Sequence, residues 1–145
     1  MLQSAGGISF FTDGITFSLR NKLATRKWLG RVARSHKIKI SSLTYVFVSD
    51  SILAEMNYRF LNHNTLTDVI TFPRGKSTSS ISGEIYISID RIRENAKMFD
   101  ESIKDELARV MAHGLLHLCG FKDKTAADLK TMRRQEEKAL DLRTK

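Results

Sequence analysis

Residues 101–120 read Glu-Ser-Ile-Lys-Asp-Glu-Leu-Ala-Arg-Val-Met-Ala-His-Gly-Leu-Leu-His-Leu-Cys-Gly, and their spacing decides the architecture. Stepping about a hundred degrees per residue from His113 puts Ile103, Leu107, Val110, Met111, Gly114 and Leu118 in one apolar sector. His113, His117 and Glu106 fall along its edge, so an amphipathic helix over Glu101–Leu118 with both imidazoles on the core rim is expected. Histidines at i and i+4 on one helical face can reach a single metal ion. Gly120 suits a helix stop, which lets Asp123 fold back as a third ligand. On spacing alone, two core-edge or surface histidines are the commoner outcome. The helix stop, the acid that follows it and the placing of two of the chain's four histidines here favour a metal. A zinc protease would carry a glutamate directly after the first histidine; Gly114 stands there instead, which argues against a peptidase and leaves room for substrate or another backbone.

Upstream, Gly83–Ser88 alternates polar and apolar residues and predicts a half-buried strand. Asp68–Phe72 predicts another, stopped by Pro73, the only proline, with a small polar loop at 74–80. Leu43–Val48 and Ile8–Phe11 complete four strands. Helices are expected from Ser18 to about Arg34, over Ile52–Phe60 capped by Asp50 or Ser51, over Asp90–Phe99 and over Ala126–Leu142. The last opens on a capping box, Thr125 with Asp128. With 145 residues and no repeat or linker, one domain over residues 1–145 is expected, with residues 1–7 outside its ordered body. The lone Cys119 excludes a disulfide framework and suits a reducing cytoplasm. No apolar window approaches membrane-spanning length, so no membrane partner is expected.

The net charge of +8 is concentrated: residues 1–50 hold eight Lys/Arg against Asp13 and Asp50. Such a block suits a phosphate backbone, whose condensed counterions it would release, or else a merely solvated helix face. Arg26, Lys27 and Arg31 are the candidate phosphate-backbone contacts. Cys119 reads as a buried structural thiol, Trp28, Phe72 and Tyr86 as packing residues, and His36 and His63 as ordinary polar positions. Asp68 is either a turn residue or one that orients the site. Glu106 is either a partner for an imidazole N–H or a solvated acid.

His113-Gly-Leu-Leu-His117-Leu-Cys-Gly120-Phe121 resembles the signature of the YbeY family, metal-dependent endoribonucleases implicated in ribosomal RNA maturation and ribosome quality control. The similarity extends through Asn57-Tyr58-Arg59, Thr67–Pro73, Gly83–Ser88, and Met132 with Glu136. It implies an α+β fold: a small mixed sheet of about four strands packed with about five helices, and a metal cleft beside the histidine helix. It assigns the first two ligands to His113 and His117 and a phosphate-binding catalytic role to Arg59. The family's third ligand is usually a histidine where this chain has Asp123. A carboxylate completes working two-histidine zinc sites, though it tilts selectivity toward harder metals. One divalent ion is therefore expected, zinc first, with nickel or another transition metal as alternatives, and no small-molecule cofactor. The expected reaction is attack on a phosphodiester of single-stranded RNA by water or a ribose 2′-hydroxyl, in ribosomal RNA precursors or ribosomal particles. Two rivals stand beside it: a non-catalytic RNA- or ribosome-binding factor with a structural metal, and a metallohydrolase of another substrate.

Overall fold

The computed structural model describes residues 7–61, 67–75 and 77–143. Four strands and five helices follow in the order β1 (Ile8–Asp13), α1 (Lys22–Ser35), β2 (Lys39–Val48), α2 (Asp50–Leu61), β3 (Val69–Pro73), β4 (Ser80–Ser88), α3 (Ile89–Met98), α4 (Ile103–Leu118) and α5 (Ala126–Asp141). The sheet order is β1-β2-β4-β3, with β1, β2 and β4 parallel and β3 antiparallel to β4. This is the expected α+β class with a mixed sheet.

Strand periodicity divides the sheet into two faces. Leu43, Tyr45, Phe47, Ile85 and Ile87 point to the main core, where they meet Trp28, Leu29 and Val32 of α1 and Met111, Leu115 and Leu116 of α4. Val46, Val48, Ile70, Phe72 and Tyr86 form a smaller cluster with Leu53, Ile52 and Met56 of α2. Trp28, Phe72 and Tyr86 thus pack as their positions suggest. The Tyr45 hydroxyl, fully buried, donates to the Met111 carbonyl at 2.9 Å and fixes the height of α4 over the sheet.

Several boundaries differ from the sequence reading for identifiable reasons. Asn21 adopts a left-handed φ of 54°, so α1 starts at Lys22 rather than near Ser18. The Ser49 hydroxyl, not Asp50 or Ser51, accepts the Ile52 N–H at the start of α2. Asp50 is helical and instead takes the Ser88 hydroxyl at 2.7 Å and the Arg91 guanidinium at 3.1 Å. Strand β4 begins at Ser80, with Ile81 buried, because β2 reaches back to Lys39 and pairs with it. Ser102 caps α4, so that helix starts two residues later than expected, and Ile103 lies exposed rather than in the apolar sector. The Thr125–Asp128 capping box is present as expected. Gly7 is described, its carbonyl accepting the Leu43 N–H at 3.1 Å; residues 1–6 and His63 lie outside the described residues. No described helix is long and apolar enough to cross a membrane.

Candidate metal centre

Helix α4 brings the histidines to the edge of the core by a close approach to the sheet. Gly114 is buried against β4, and a Cβ added there would lie 2.8 Å from Cγ2 and 3.0 Å from Cδ1 of Ile85. Gly83 of β4 matches it, since a Cβ there would meet the Phe72 carbonyl at 2.8 Å and the Leu118 methyls at 3.1 Å. The glycine after His113 therefore serves the close approach of helix to sheet, the second of the two sequence readings, rather than substrate access.

The helix ends in a Schellman turn: Gly120 (φ +107°) donates to the His117 carbonyl and Phe121 donates to the Leu116 carbonyl, each at 3.0 Å. The turn aims the Phe121 carbonyl back at His117, where it lies 3.0 Å from Nδ1. A carbonyl can only accept, so His117 carries its proton on Nδ1 and presents a lone pair at Nε2. His113 Nδ1 lies 2.6 Å from Glu136 Oε2 of α5, which orients its ring in the same sense. The two Nε2 atoms face each other at 3.1 Å, and Asp123 Oδ2 lies 3.1 Å from His117 Nε2 and 3.4 Å from His113 Nε2.

Three atoms of metal-ligating type thus converge, His113 Nε2, His117 Nε2 and Asp123 Oδ2. Ligands about 2.0–2.1 Å from a tetrahedral zinc are about 3.3 Å apart along each edge, so the observed triangle suits such an ion. One ligand atom from each of His113, His117 and Asp123 falls within 4.8 Å of the others, and no fourth His, Cys, Asp or Glu joins the group among the described residues. Burial pushes the Cys119 thiol up to about 11, and the side chain packs against the main core, in keeping with a structural thiol.

A charged network supports the histidines. Arg109, one helical turn before His113, bonds Glu106 at 2.7 Å and Glu136 at 3.2 Å. Asn95 and Asp68 close it: the Asn95 amide lies 3.4 Å from both Asp68 Oδ2 and Glu106 Oε2, and Arg109 lies 3.9 Å from Asp68. Glu106 and Glu136 are almost fully buried, which is tolerable only because this guanidinium answers both. Glu106 therefore faces Arg109 rather than an imidazole, and the imidazole partner is Glu136. The Glu106 hydrogen bond holds Arg109 charged, against its burial, with help from the charges of Glu106 and Glu136. Burial pushes His113 down, but the hydrogen bond and charge of Glu136, with Asp68 and Asp123 nearby, win and raise its pKa. For Glu136, burial pushes upward and is outweighed by His113 and Arg109, so its pKa falls. A cavity of about 470 Å³, lined in part by Arg109, His113, Arg133 and Glu136, opens beside this network.

The other sequence candidates lie elsewhere. Arg59 sits on the exposed face of α2, paired with Glu55 at 3.2 Å, and no hydrogen bond or ion pair links it to the three donor atoms. Arg26 Nε donates to the Ile8 carbonyl at 2.8 Å and its guanidinium lies 5.3 Å from the Phe10 ring. Arg31 Nε donates to the Leu142 carbonyl at 3.1 Å, and Lys27 is exposed. His36 packs edge-on against Phe121, 5.1 Å between centroids, away from any metal group. Sequence reasoning missed Arg109, whose signal was its place between Glu106 and His113 on one helical face.

A mixed sheet with helices packed on it that sets His113, His117 and Asp123 where they could hold one metal ion suits a class, the metal-dependent hydrolases. The model of the family described as Endoribonuclease YbeY matches residues 11–143. The endoribonuclease YbeY of Cytophaga hutchinsonii is 45% identical over 136 residues, spanning 94% of this chain and 95% of that protein. That of Flavobacterium johnsoniae is 43% identical over 124 residues, spanning 86% and 88%. A solution structure of a Thermotoga maritima protein superposes with a TM-score of 0.65 at 25% identity, covering 93% of this chain and 87% of its own. The chain belongs to the endoribonuclease YbeY family.

Proposed function

We propose that this chain cuts single-stranded RNA at a single divalent metal, zinc by preference, held by His113, His117 and Asp123, with Arg59 gripping the scissile phosphate. The activity itself, metal-dependent hydrolysis of RNA phosphodiester bonds in ribosomal RNA processing, comes with membership of the family. The observation that carries the reading is the convergence of His113 Nε2, His117 Nε2 and Asp123 Oδ2 at 3.1–3.4 Å, a set of ligand-type atoms that could hold one cation.

A divalent metal held by His113, His117 and Asp123 would supply Lewis acidity and would lower the pKa of a bound water. The chain's own residues do the rest. Glu136 holds His113, and the Phe121 carbonyl holds His117, in the tautomers that present Nε2. Arg109 keeps Glu136 ionised. Arg59 breaks its exposed pair with Glu55 at little cost and meets the phosphate as charge builds. Lys27, with Arg26 and Arg31, contacts the RNA backbone, Lys27 and Arg31 lying one turn apart on the same side of α1. Ribosomal RNA precursors and ribosomal particles in the cytoplasm are the proposed partners, and residues 1–145 act as one domain.

A structural metal would need a fourth protein ligand. Cys119 is the nearest candidate in sequence, and it does not join the group that His113, His117 and Asp123 form. The test is bound metal and cleavage of a single-stranded RNA by wild type, His117→Ala and Arg59→Glu. Loss of metal and activity in the first, and retained metal with lost activity in the second, are expected. A purified His117→Ala protein cleaving at the wild-type rate would overturn the assignment.

A further inference from the structure

Away from the metal group, the amino-terminal turns of α1 and α4 enclose a groove of about 500 Å³. Its floor is apolar, made by Trp28, Leu107 and Met111, and its rim carries Arg20, Lys104 and Arg143. No Asp or Glu lines it. Its volume falls within the range of ligand pockets.

Three features mark the groove as a receptor for negative charge joined to an apolar body. Asn21 opens α1 in a left-handed conformation without a side-chain hydrogen bond to the first turn, and that turn holds no acid to answer the helix dipole. The rim cations share the groove with exposed aliphatic surface: Ile103, which lines it, is 45% exposed. Arg143 is held over the Trp28 ring, 5.9 Å from its centroid, by an ion pair with Asp105 at 3.1 Å, so part of the rim is fixed in advance.

We propose that this groove binds an acidic protein segment that inserts a bulky apolar side chain between α1 and α4 while its carboxylates meet Arg20 and Lys104. RNA fits less well. Trp28 is only 4% exposed, so it offers no face for a base to stack on, and its Nε1 donates to the Ala139 carbonyl at 2.8 Å, so it reads no base edge. An aliphatic side chain needs neither. This surface stands apart from the metal centre and does not depend on the RNA reading.

Trp28 is the only tryptophan, so its emission reports the groove directly. The full-length protein is titrated, without added metal, with three probes: a blocked peptide Asp-Glu-Asp-Leu-Phe-Asp-Glu-Asp, the same peptide with Ser-Ser replacing Leu-Phe, and a 2′-O-methyl oligouridylate. A saturable emission change with the first peptide alone is expected. Affinity should fall roughly tenfold in the R20E/K104E double variant, as for two rim charges reversed, while that variant cleaves RNA as wild type does. Ala24→Phe, which narrows the groove without altering charge, should also weaken the peptide. The proposal is overturned if the first peptide gives no saturable change. It also fails if the Ser-Ser peptide binds equally well, which would mean charge adhesion alone, or if the oligouridylate produces the same change and displaces the peptide.

Discussion

His113 Nδ1 and Glu136 Oε2 lie 2.6 Å apart, joining a proposed metal ligand on α4 to a buried carboxylate on α5. The pair sets which imidazole nitrogen faces the metal, and Arg109 neutralises the carboxylate from the other side at 3.2 Å. Glu136→Gln and Glu136→Ala should therefore lower zinc affinity by about 10- to 100-fold, as loss of a ligand's outer partner commonly does. Competition with a chromophoric chelator measures this. Wild-type affinity in the alanine variant would remove Glu136 from the site.

The same pair fixes the sign of a pH effect in the metal-free protein. His113 has a raised folded pKa, so its contribution is complete below its ordinary value of 6.5 and is lost as pH rises through the folded value. Glu136 has a lowered one, so its contribution is complete above 4.5 and is lost as pH falls through the folded value. Urea midpoints without metal should peak between about pH 4.5 and 6.5 and decline on both sides. Zinc affinity should rise with pH over the range in which His113 loses its proton. A metal-free midpoint that climbs from pH 6.5 to 8 would contradict the pairing.

Gly114→Ala sets two effects of opposite sign against each other. Alanine improves helix propensity by up to about 1 kcal/mol. Its methyl would meet Ile85 at 2.8 Å, and Ile85 is fully buried with no space to retreat into, an overpacking cost of about 1–3 kcal/mol. Net destabilisation is expected in urea melts, with metal affinity falling as α4 lifts from β4. A more stable variant would show that the helix yields freely.

Arg59 is exposed and engaged only in an i,i+4 pair with Glu55, a contact worth little. Arg59→Glu should leave the urea midpoint and zinc affinity within error of wild type while lowering cleavage of single-stranded RNA at least ~100-fold, the scale of losing one electrostatic stabiliser of the transition state. Unchanged cleavage would return Arg59 to the surface.

Much of this arrangement was legible in the residues. Helical spacing put His113 and His117 on one edge of α4, Gly120 announced the turn, and Asp123 followed at the right distance to fold back. Alternation and β-branching gave β4, β3 and the centre of β2. What stayed hidden depends on tertiary neighbours. Nothing local says that Gly114 faces Ile85, since that needs the register of α4 over β4. Glu106 and Glu136 look alike in sequence, and only the packing of α5 on α4 gives the second to His113 and the first to Arg109. The start of α1 was misread because Leu19 keeps the helical apolar spacing, while the left-handed turn at Asn21 leaves no mark in hydropathy.

X-ray absorption at the zinc edge of the loaded protein tests the metal centre most directly. The account requires two imidazole nitrogens and oxygen-type scatterers at about 2.0–2.2 Å, with no bound zinc retained in His117→Ala. A sulfur scatterer near about 2.3 Å would place Cys119 in a closed structural site and contradict it.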